Sequence, residues 1–175
     1  MSHQTKRIIM HNLILHVSKL LIPLLIFASV SIAQASENHR QQIAKLIKSE
    51  QEPAGIVFEI VSGDKHYLDW AIPETQRLST QLRKKFPGLD IAVVSHGAEQ
   101  FALRKESLQK NRGLKSKVQS LVSKDIELHV CGTLAEWRNV SDTEFSSLVD
   151  VAATGPSQIN NYISLGYQKI IVRKN

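Results

Sequence analysis

Short runs of β-branched and other apolar residues recur along the chain after residue 55 and alternate with stretches of helical spacing. Runs of this length and composition are typical of buried β-strands. We predict five strands: Ile56–Val61, Ile91–Ser95, Ile126–Val130, Leu148–Ala152 and Tyr167–Val172. Because these strands are apolar almost throughout, they indicate a sheet that is covered on both faces. The pattern predicts a three-layer α/β/α sandwich with a mostly parallel five-stranded sheet.

Helical spacing connects the strands. In the first connection, Pro73 is expected in the first turn of a helix that continues through Leu78 and Leu82. The second connection is expected to break around Asn111-Arg112-Gly113, and the last helix to end at a closing glycine. The remaining predicted helical segments are Glu99–Lys105, Leu114–Val122, Leu134–Val140 and Pro156–Leu165.

The first 35 residues have the features of a secretory signal peptide. They contain three basic and no acidic residues, an apolar run of 14 residues from Leu20 to Ala33, and the small residues Ala33 and Ala35. We predict cleavage after Ala35 and a periplasmic mature protein without a membrane anchor. An uncleaved anchor is the alternative, but it needs about 20 apolar residues, and Pro23 interrupts this run. Translation starts at either Met1 or Met10.

The mature chain has the size of one domain. Removal of residues 1–35 leaves 140 residues, enough for a single core. Residues 36–54 are polar, with a short stripe of Ile43, Leu46 and Ile47, and are expected to form a leader with one or two helical turns. Residues 55–175 are expected to form the α/β domain.

Charge and motifs exclude several classes of function. The net charge is +6 for the whole chain and falls to +3 after removal of the signal segment, and the basic residues are scattered. We therefore expect no nucleic-acid partner. A Cys-x-x-Cys pair, a phosphate-binding glycine loop and a serine elbow are all absent from the sequence. The histidines lack metal-site spacing, so we expect neither a metal nor a cofactor.

Three loops are expected to converge at one edge of the sheet. "SHGAEQ", "VCGTL" and "ATGPSQ" follow the second, third and fourth strands, and the carboxyl ends of parallel strands are where ligands bind in such folds. Gly97, Gly132 and Gly155 allow close backbone approach in these loops. Cys131, the only cysteine in the chain, lies in the middle one, where chemistry is expected.

Position alone leaves two interpretations of Cys131 open. The start of a helix favours the thiolate form of a cysteine and makes it reactive. His96 and Arg138 are alternative cations for that thiolate, while His129 lies two residues earlier on the same face of the strand. The other interpretation is a buried small apolar residue at the end of a strand, which is common for free cysteine.

Three segments carry a resemblance to a known family. "IAVVSHGAEQFALRK" has a strand that ends in His-Gly, "IELHVCGTLAEWRNV" a strand that ends in Cys-Gly, and "VDVAATGPSQINNYISLGYQKIIV" a strand, a glycine, a helix, Gly-Tyr and a last strand. In this order they resemble the DsrE/DsrF-like family, and the resemblance extends over residues 55–173.

The resemblance implies a trimer or hexamer and sulfur transfer through a cysteine persulfide. Cys131 matches the persulfide cysteine, and the expected supporting residues are His96, Gly97, His129, Gly132 and Gly155. Characterised members act in the cytoplasm, whereas this chain carries an export signal. The expected function is a periplasmic sulfur carrier or sulfurtransferase, with a small sulfur-containing donor or an acceptor protein as partner. The alternative is a non-catalytic binding or assembly module, and whether the protein is an enzyme stays open.

Overall fold

All strands of the sheet run in the same direction in the computed structural model, which describes residues 38–174. The strands lie in the order β4-β3-β2-β1-β5. Their bounds are β1 Gly55–Ile60, β2 Ile91–Ser95, β3 Ile126–Cys131, β4 Asp150–Ala152 and β5 Tyr167–Ile171. The predicted α/β sandwich with five strands is confirmed, and each strand lies within two residues of its expected bounds. The predicted signal peptide and its cleavage site lie outside the described residues.

Helices lie on both sides of the sheet. They are α1 His39–Lys48, α2 Leu68–Lys85, α3 Lys105–Lys110, α4 Arg112–Val122, α5 Gly132–Trp137 and α6 Gly155–Ser164, with 3-10 turns at Ala98–Leu103 and Asp142–Glu144. The predicted break between α3 and α4 is present, and there the side chain of Asn111 accepts a hydrogen bond of 2.9 Å from the N–H of Leu114. Among residues 38–174, no helix has the length and apolar character that crossing a membrane requires.

The two faces of the sheet are covered unequally. Strands β1 to β4 follow one another across the sheet, and α1 to α5 all contribute buried residues to one large core on the same face. Helix α6 then connects β4 at one edge to β5 at the other. Its Ile159 and Tyr162 form a small second core with Val57, Ala92 and Val94. Within the described chain, α6 is therefore the helix whose residues form the buried core on that face.

Pro73 is not in the first turn of its helix, contrary to the prediction. Helix α2 begins at Leu68, so Pro73 is its sixth residue. A proline there cannot donate to the carbonyl of Asp69, and the ammonium group of Lys117 donates to that oxygen instead, at 2.9 Å. A side chain from α4 thus replaces the missing backbone hydrogen bond, which local sequence does not reveal.

Helix α5 begins two residues earlier than expected and ends three residues earlier. Cys131, in an extended conformation, is its N-cap residue and makes no side-chain cap, so the chain passes directly from β3 into the helix. The helix ends at Trp137, and Asn139 follows with a positive φ of 54°. Asparagine tolerates this left-handed conformation better than most residues, so the chain reverses before Val140.

The segment expected to be a polar leader contains a ten-residue helix that packs against the domain. Asn38 and Gln41 form a capping box at its start. His39 and Ile43 are buried, and His39 Nε2 lies 3.2 Å from Glu74 Oε1 on α2. Arg40 and Arg77 donate to the same carboxylate at 3.0 and 2.8 Å. This cluster around the buried Glu74 carboxylate links α1 to α2.

We predict that Glu74 makes the stability of the fold depend on pH in acid. The hydrogen bond from Arg77 is the largest cause that lowers the pKa of Glu74 to about 2, and Arg40 and His39 add to it against the effect of burial. Because the pKa is lower in the folded state, the stabilisation is complete above about pH 4.5 and is lost as pH falls towards 2. At 1.36 kcal/mol per pKa unit it amounts to about 3 kcal/mol.

Urea unfolding of the mature protein at several pH values measures this effect. Glu74→Gln is expected to flatten the pH dependence of the unfolding free energy in that window. Glu106→Gln is the matched control, because Glu106 is exposed and its ion pair with Lys110 is also exposed to solvent; it should leave the curve nearly unchanged. Equal curves for Glu74→Gln and the unchanged protein would contradict the assignment.

Candidate functional site

Three loops meet at the carboxyl edge of the sheet, as their positions after β2, β3 and β4 require. The N–H and hydroxyl groups of Thr133 both donate to the carbonyl of Ala153, at 3.0 and 2.9 Å. A Cβ added at Gly155 would overlap His96, and one at Gly132 would lie 3.0 Å from the carbonyl oxygen of Ala152. We call this edge the rim: residues 95–100, 130–134 and 152–156.

Cys131 lies in the rim, and a buried side chain holds its main chain. The N–H of Cys131 donates to Gln100 Oε1 at 2.7 Å, and its carbonyl accepts from Gln100 Nε2 at 3.2 Å. Gln100 is fully buried, and Cys131 is 6% exposed. A single amide therefore satisfies both main-chain groups of the cysteine and fixes its position at the end of β3.

The neighbouring residue, Glu99, organises the loop after β2. Its buried carboxyl group accepts hydrogen bonds from the N–H of Ser62 at 2.7 Å, the N–H of Gly97 at 2.9 Å and the hydroxyl of Ser95 at 2.8 Å. Gly97 is needed because a Cβ there would lie 2.6 Å from the backbone nitrogen of Ser62. The loops after β1 and β2 are thereby held in contact.

His96 is the first of three side chains that contact one another in a row, His96, Glu59 and Lys169, on the face of the sheet that α6 covers. His96 Nε2 lies 2.9 Å from Glu59 Oε1, and Lys169 Nζ lies 3.0 Å from Glu59 Oε2. Burial raises the pKa of Glu59, but the interactions with Lys169 and His96 outweigh it, so the net pKa is below the ordinary value. Glu59 is therefore a carboxylate at neutral pH, with the hydrogen bond to His96 at one oxygen and the ion pair with Lys169 at the other.

His129 is held against α6. Its Nε2 lies 2.8 Å from the hydroxyl of Tyr162 and 3.3 Å from Glu127 Oε2, and that hydroxyl also donates to Glu127. The hydrogen bond from Tyr162 lowers the pKa of Glu127, while burial and then Glu127 raise the pKa of Tyr162. His129 shares a strand face with Cys131, but its partners are on β3 and α6.

The two candidate cations differ in position. Arg138 is exposed at the far end of α5 from Cys131. The last residues paired between β2 and β3 are Ser95 and Val130, so His96 and Cys131 are the next residues along these neighbouring strands. The structure thus brings together Cys131, His96, Gly97, Gly132 and Gly155, and leaves Arg138 apart. The N–H of Thr133 in the first turn of α5 is not free, because it donates to Ala153.

Sequence reasoning missed three residues of this site: Glu59, Glu99 and Gln100. Their signals were present in the sequence. Glu59 is the one charged residue in the apolar run "IVFEIV", and Glu99 and Gln100 follow a His-Gly pair directly after a buried strand. Polar residues in such positions are exposed more often than buried, so the pattern alone did not distinguish them from surface residues.

A groove of about 590 Å³ opens beside the rim. Gly132, Thr133, Glu136 and Asp142 are among the residues that line it. Trp137, at the end of α5, is 75% exposed. A groove with polar and acidic lining residues therefore begins at Gly132, the residue after Cys131, and an exposed tryptophan ends the same helix.

Comparison with known proteins identifies a family and a shared fold. The model of the DsrE/DsrF-like family matches residues 69–171. A protein of unknown function from Methanobacterium thermoautotrophicum is 20% identical, and its structure superposes with a TM-score of 0.54 over 66% of this chain and 96% of the other. A conserved protein of unknown function from Bacteroides thetaiotaomicron is 11% identical over 68% and 95%, with a TM-score of 0.45 that supports no conclusion. No curated protein sequence matches the chain significantly.

We predict that Gly97→Ala destabilises the protein by about 1–3 kcal/mol, as overpacking does. The added Cβ would meet the backbone of Ser62 and the buried carboxyl group of Glu99, and a backbone cannot move aside as a side chain can. Gly113→Ala is the matched control. Gly113 is exposed in α4 and has only Asn111 Oδ1 near its missing Cβ, at 3.5 Å.

The control, Gly113→Ala, is expected to stabilise the protein by about 0.5–1 kcal/mol, because alanine has a higher helix propensity than glycine. Thermal or urea unfolding of both variants measures the difference. Equal effects of the two substitutions would show that the close approach at Gly97 is not needed.

Proposed function

The chain belongs to the DsrE/DsrF-like family, and we propose that it is a periplasmic sulfur-carrier or sulfur-transfer protein that holds sulfur as a persulfide on Cys131. The observation that supports this most strongly is the position of Cys131, at the end of β3 in the segment that the family model covers. There the loops after β2, β3 and β4 meet, and Gln100 fixes the main chain of the cysteine.

The proposed step is a nucleophilic displacement at sulfur. The thiolate of Cys131 attacks the outer, sulfane sulfur of a donor such as thiosulfate. A new S–S bond forms, the old S–S bond breaks, and sulfite leaves with the bonding electron pair. The product is the Cys131 persulfide anion. No external oxidant or reductant is needed, because the donor carries the transferred sulfur in the required oxidation state.

The single cysteine suits a carrier. With no second cysteine in the chain, an intramolecular disulfide cannot form and release the sulfur. The sulfur leaves by transfer to an external acceptor, which we propose to be a protein or small molecule in the periplasm. The predicted export signal supports a donor and an acceptor in that compartment, and we propose that these partners differ from those of cytoplasmic members.

We propose that the protein assembles as a homotrimer or homohexamer. Helix α6 is short, and polar residues such as Lys169 occupy part of the sheet face that it covers. Trp137 presents a large aromatic side chain to solvent on the short helix after Cys131. An exposed tryptophan of this kind is typical of an association surface, and a subunit contact here would lie near the rim.

The burial of Cys131 favours a second function. The cysteine is 6% exposed, so a donor reaches its sulfur only after the rim opens locally. A cysteine that never becomes accessible would serve the fold, and the protein would then be a non-catalytic binding or assembly module. The two functions predict different results for the same covalent test.

The proposed function predicts that the mature protein gains one sulfur atom on Cys131. Incubation with thiosulfate, polysulfide or a persulfide donor is followed by intact-mass measurement. One sulfur and two oxygen atoms add nearly the same mass, so only a gain that a reductant removes identifies a persulfide rather than a sulfinic acid. Cys131→Ser is the control and should gain nothing.

An unmodified mass with every donor, although denaturant exposes a titratable thiol, would exclude the carrier and leave the binding module. Partial conversion that rises with donor concentration would support the carrier.

The proposed assembly predicts that the mature protein sediments as a trimer or hexamer at micromolar concentration. Trp137→Ala removes the exposed aromatic side chain without touching a buried contact and is expected to weaken association at least tenfold. Arg138→Ala, at the neighbouring exposed position, is the control and should have a smaller effect. Sedimentation of the unchanged protein as a monomer would exclude the assembly.

A further inference from the structure

His96 and Cys131 lie on the same face of the sheet, next to each other. Val130 is buried in the core on the opposite face, so alternation along β3 directs Cys131 toward the α6 side. His96 is on that side too, because it contacts Gly155 of α6 and Glu59 of β1. The last pair between β2 and β3 is Ser95 and Val130, so His96 and Cys131 each lie one residue beyond that pair on neighbouring strands.

The partner of His96 decides which ring nitrogen carries the proton. Glu59, as a carboxylate at neutral pH, only accepts hydrogen bonds. In the neutral ring, the Nε2 atom of His96, which lies 2.9 Å from Glu59 Oε1, therefore carries the hydrogen. The other ring nitrogen, Nδ1, is left with a free electron pair and is the basic atom.

Lys169 fixes Glu59 from the other side. Its ammonium group lies 3.0 Å from Glu59 Oε2, and the Glu59 and His96 side chains are each only 15% exposed. The carboxylate is thus held between a permanent cation on β5 and the imidazole on β2. A histidine that is held in this way by a carboxylate has a fixed ring orientation and a fixed tautomer.

We propose that His96 Nδ1 accepts the proton of the Cys131 thiol, and that Glu59, anchored by Lys169, is the positioning residue that orients the ring for this transfer. The inference rests on the proposed sulfur-carrier function and adds the group that generates its nucleophile. The S–H bond breaks, its electron pair stays on sulfur, and the proton forms an N–H bond on the ring. The resulting imidazolium lies between Glu59 and the thiolate.

Other titratable groups face this part of the sheet. Glu127 and His129 of β3 and Tyr162 of α6 form their own hydrogen-bonded cluster, and Lys169 of β5 adds a positive charge. The cluster of Glu127, His129 and Tyr162 is held by hydrogen bonds that do not involve Glu59, whereas Lys169 loses its ion-pair partner in Glu59→Gln.

The test follows the ultraviolet absorbance of the thiolate as a function of pH, which does not require reagent access to Cys131. Because the chain has one cysteine, subtraction of the Cys131→Ser curve removes the tyrosine signal. Glu59→Gln is expected to raise the midpoint of thiolate formation by about one pH unit, or tenfold less thiolate at neutral pH. Glu74→Gln is the matched control, since it breaks a similar His–Glu pair on the opposite face and should not move the midpoint.

A second measurement separates a chemical role from a structural one. His96→Ala is expected to slow alkylation of Cys131 by iodoacetamide at least tenfold, and added imidazole is expected to restore part of the rate. Circular dichroism identifies variants that are folded, and if Glu59→Gln does not fold, the imidazole experiment decides.

An unchanged midpoint in folded Glu59→Gln, equal shifts in the two glutamate variants, or the absence of rescue by imidazole would overturn the proposal. The outcomes also separate it from the function on which it rests. Persulfide formation that is insensitive to Glu59 and His96 refutes only the proton acceptor. A thiol that responds to both residues but never gains sulfur refutes only the sulfur carrier.

Discussion

The buried side chains of Glu99 and Gln100 hold the rim at the carboxyl edge of the sheet together. Polar groups removed from water cost free energy unless they are hydrogen-bonded, and these two residues meet that requirement for several groups at once. Glu99 accepts hydrogen bonds from the loops after β1 and β2, and Gln100 satisfies both main-chain groups of Cys131. Loss of either side chain would leave buried backbone groups unpaired. The position of the cysteine therefore depends on the loop after the neighbouring strand.

The topology of the sheet explains why charged residues gather near that edge. The crossovers between β1 and β4 keep α2 to α5 on one face, where they bury the large apolar core. Only α6 contributes buried helical residues to the small core on the other face of the described domain. Space remains beside α6 for ionic and polar groups, and Glu59, His96 and Lys169 occupy it. The face with the smaller buried core is thus the one that carries these ionic and polar groups.

The fold could be predicted from the sequence because the strands are apolar almost throughout and the breaks between helices contain turn residues. The order of the loops around Cys131 follows from the same pattern. Features that depend on distant side chains could not be predicted. Pro73 lies inside α2 because Lys117 of α4 bonds the carbonyl that the proline leaves unpaired. Glu99 and Gln100 are buried and Glu59 is partly buried, and each has a partner more than 30 residues away along the chain. No local rule distinguishes them from exposed polar residues.

The proposed function requires Cys131 to become accessible through local opening of the rim while the domain stays folded. The most direct measurement is the rate of Cys131 alkylation in the native mature protein as a function of urea, below the unfolding transition. Because local opening exposes little surface, we expect the rate of Cys131 alkylation to be nearly independent of urea concentration. The other possible result is that the logarithm of the alkylation rate rises with urea concentration as steeply as the free energy of global unfolding predicts. It would show that the thiol is reached only in the unfolded chain. That result would contradict the account, because Cys131 would then be a structural residue.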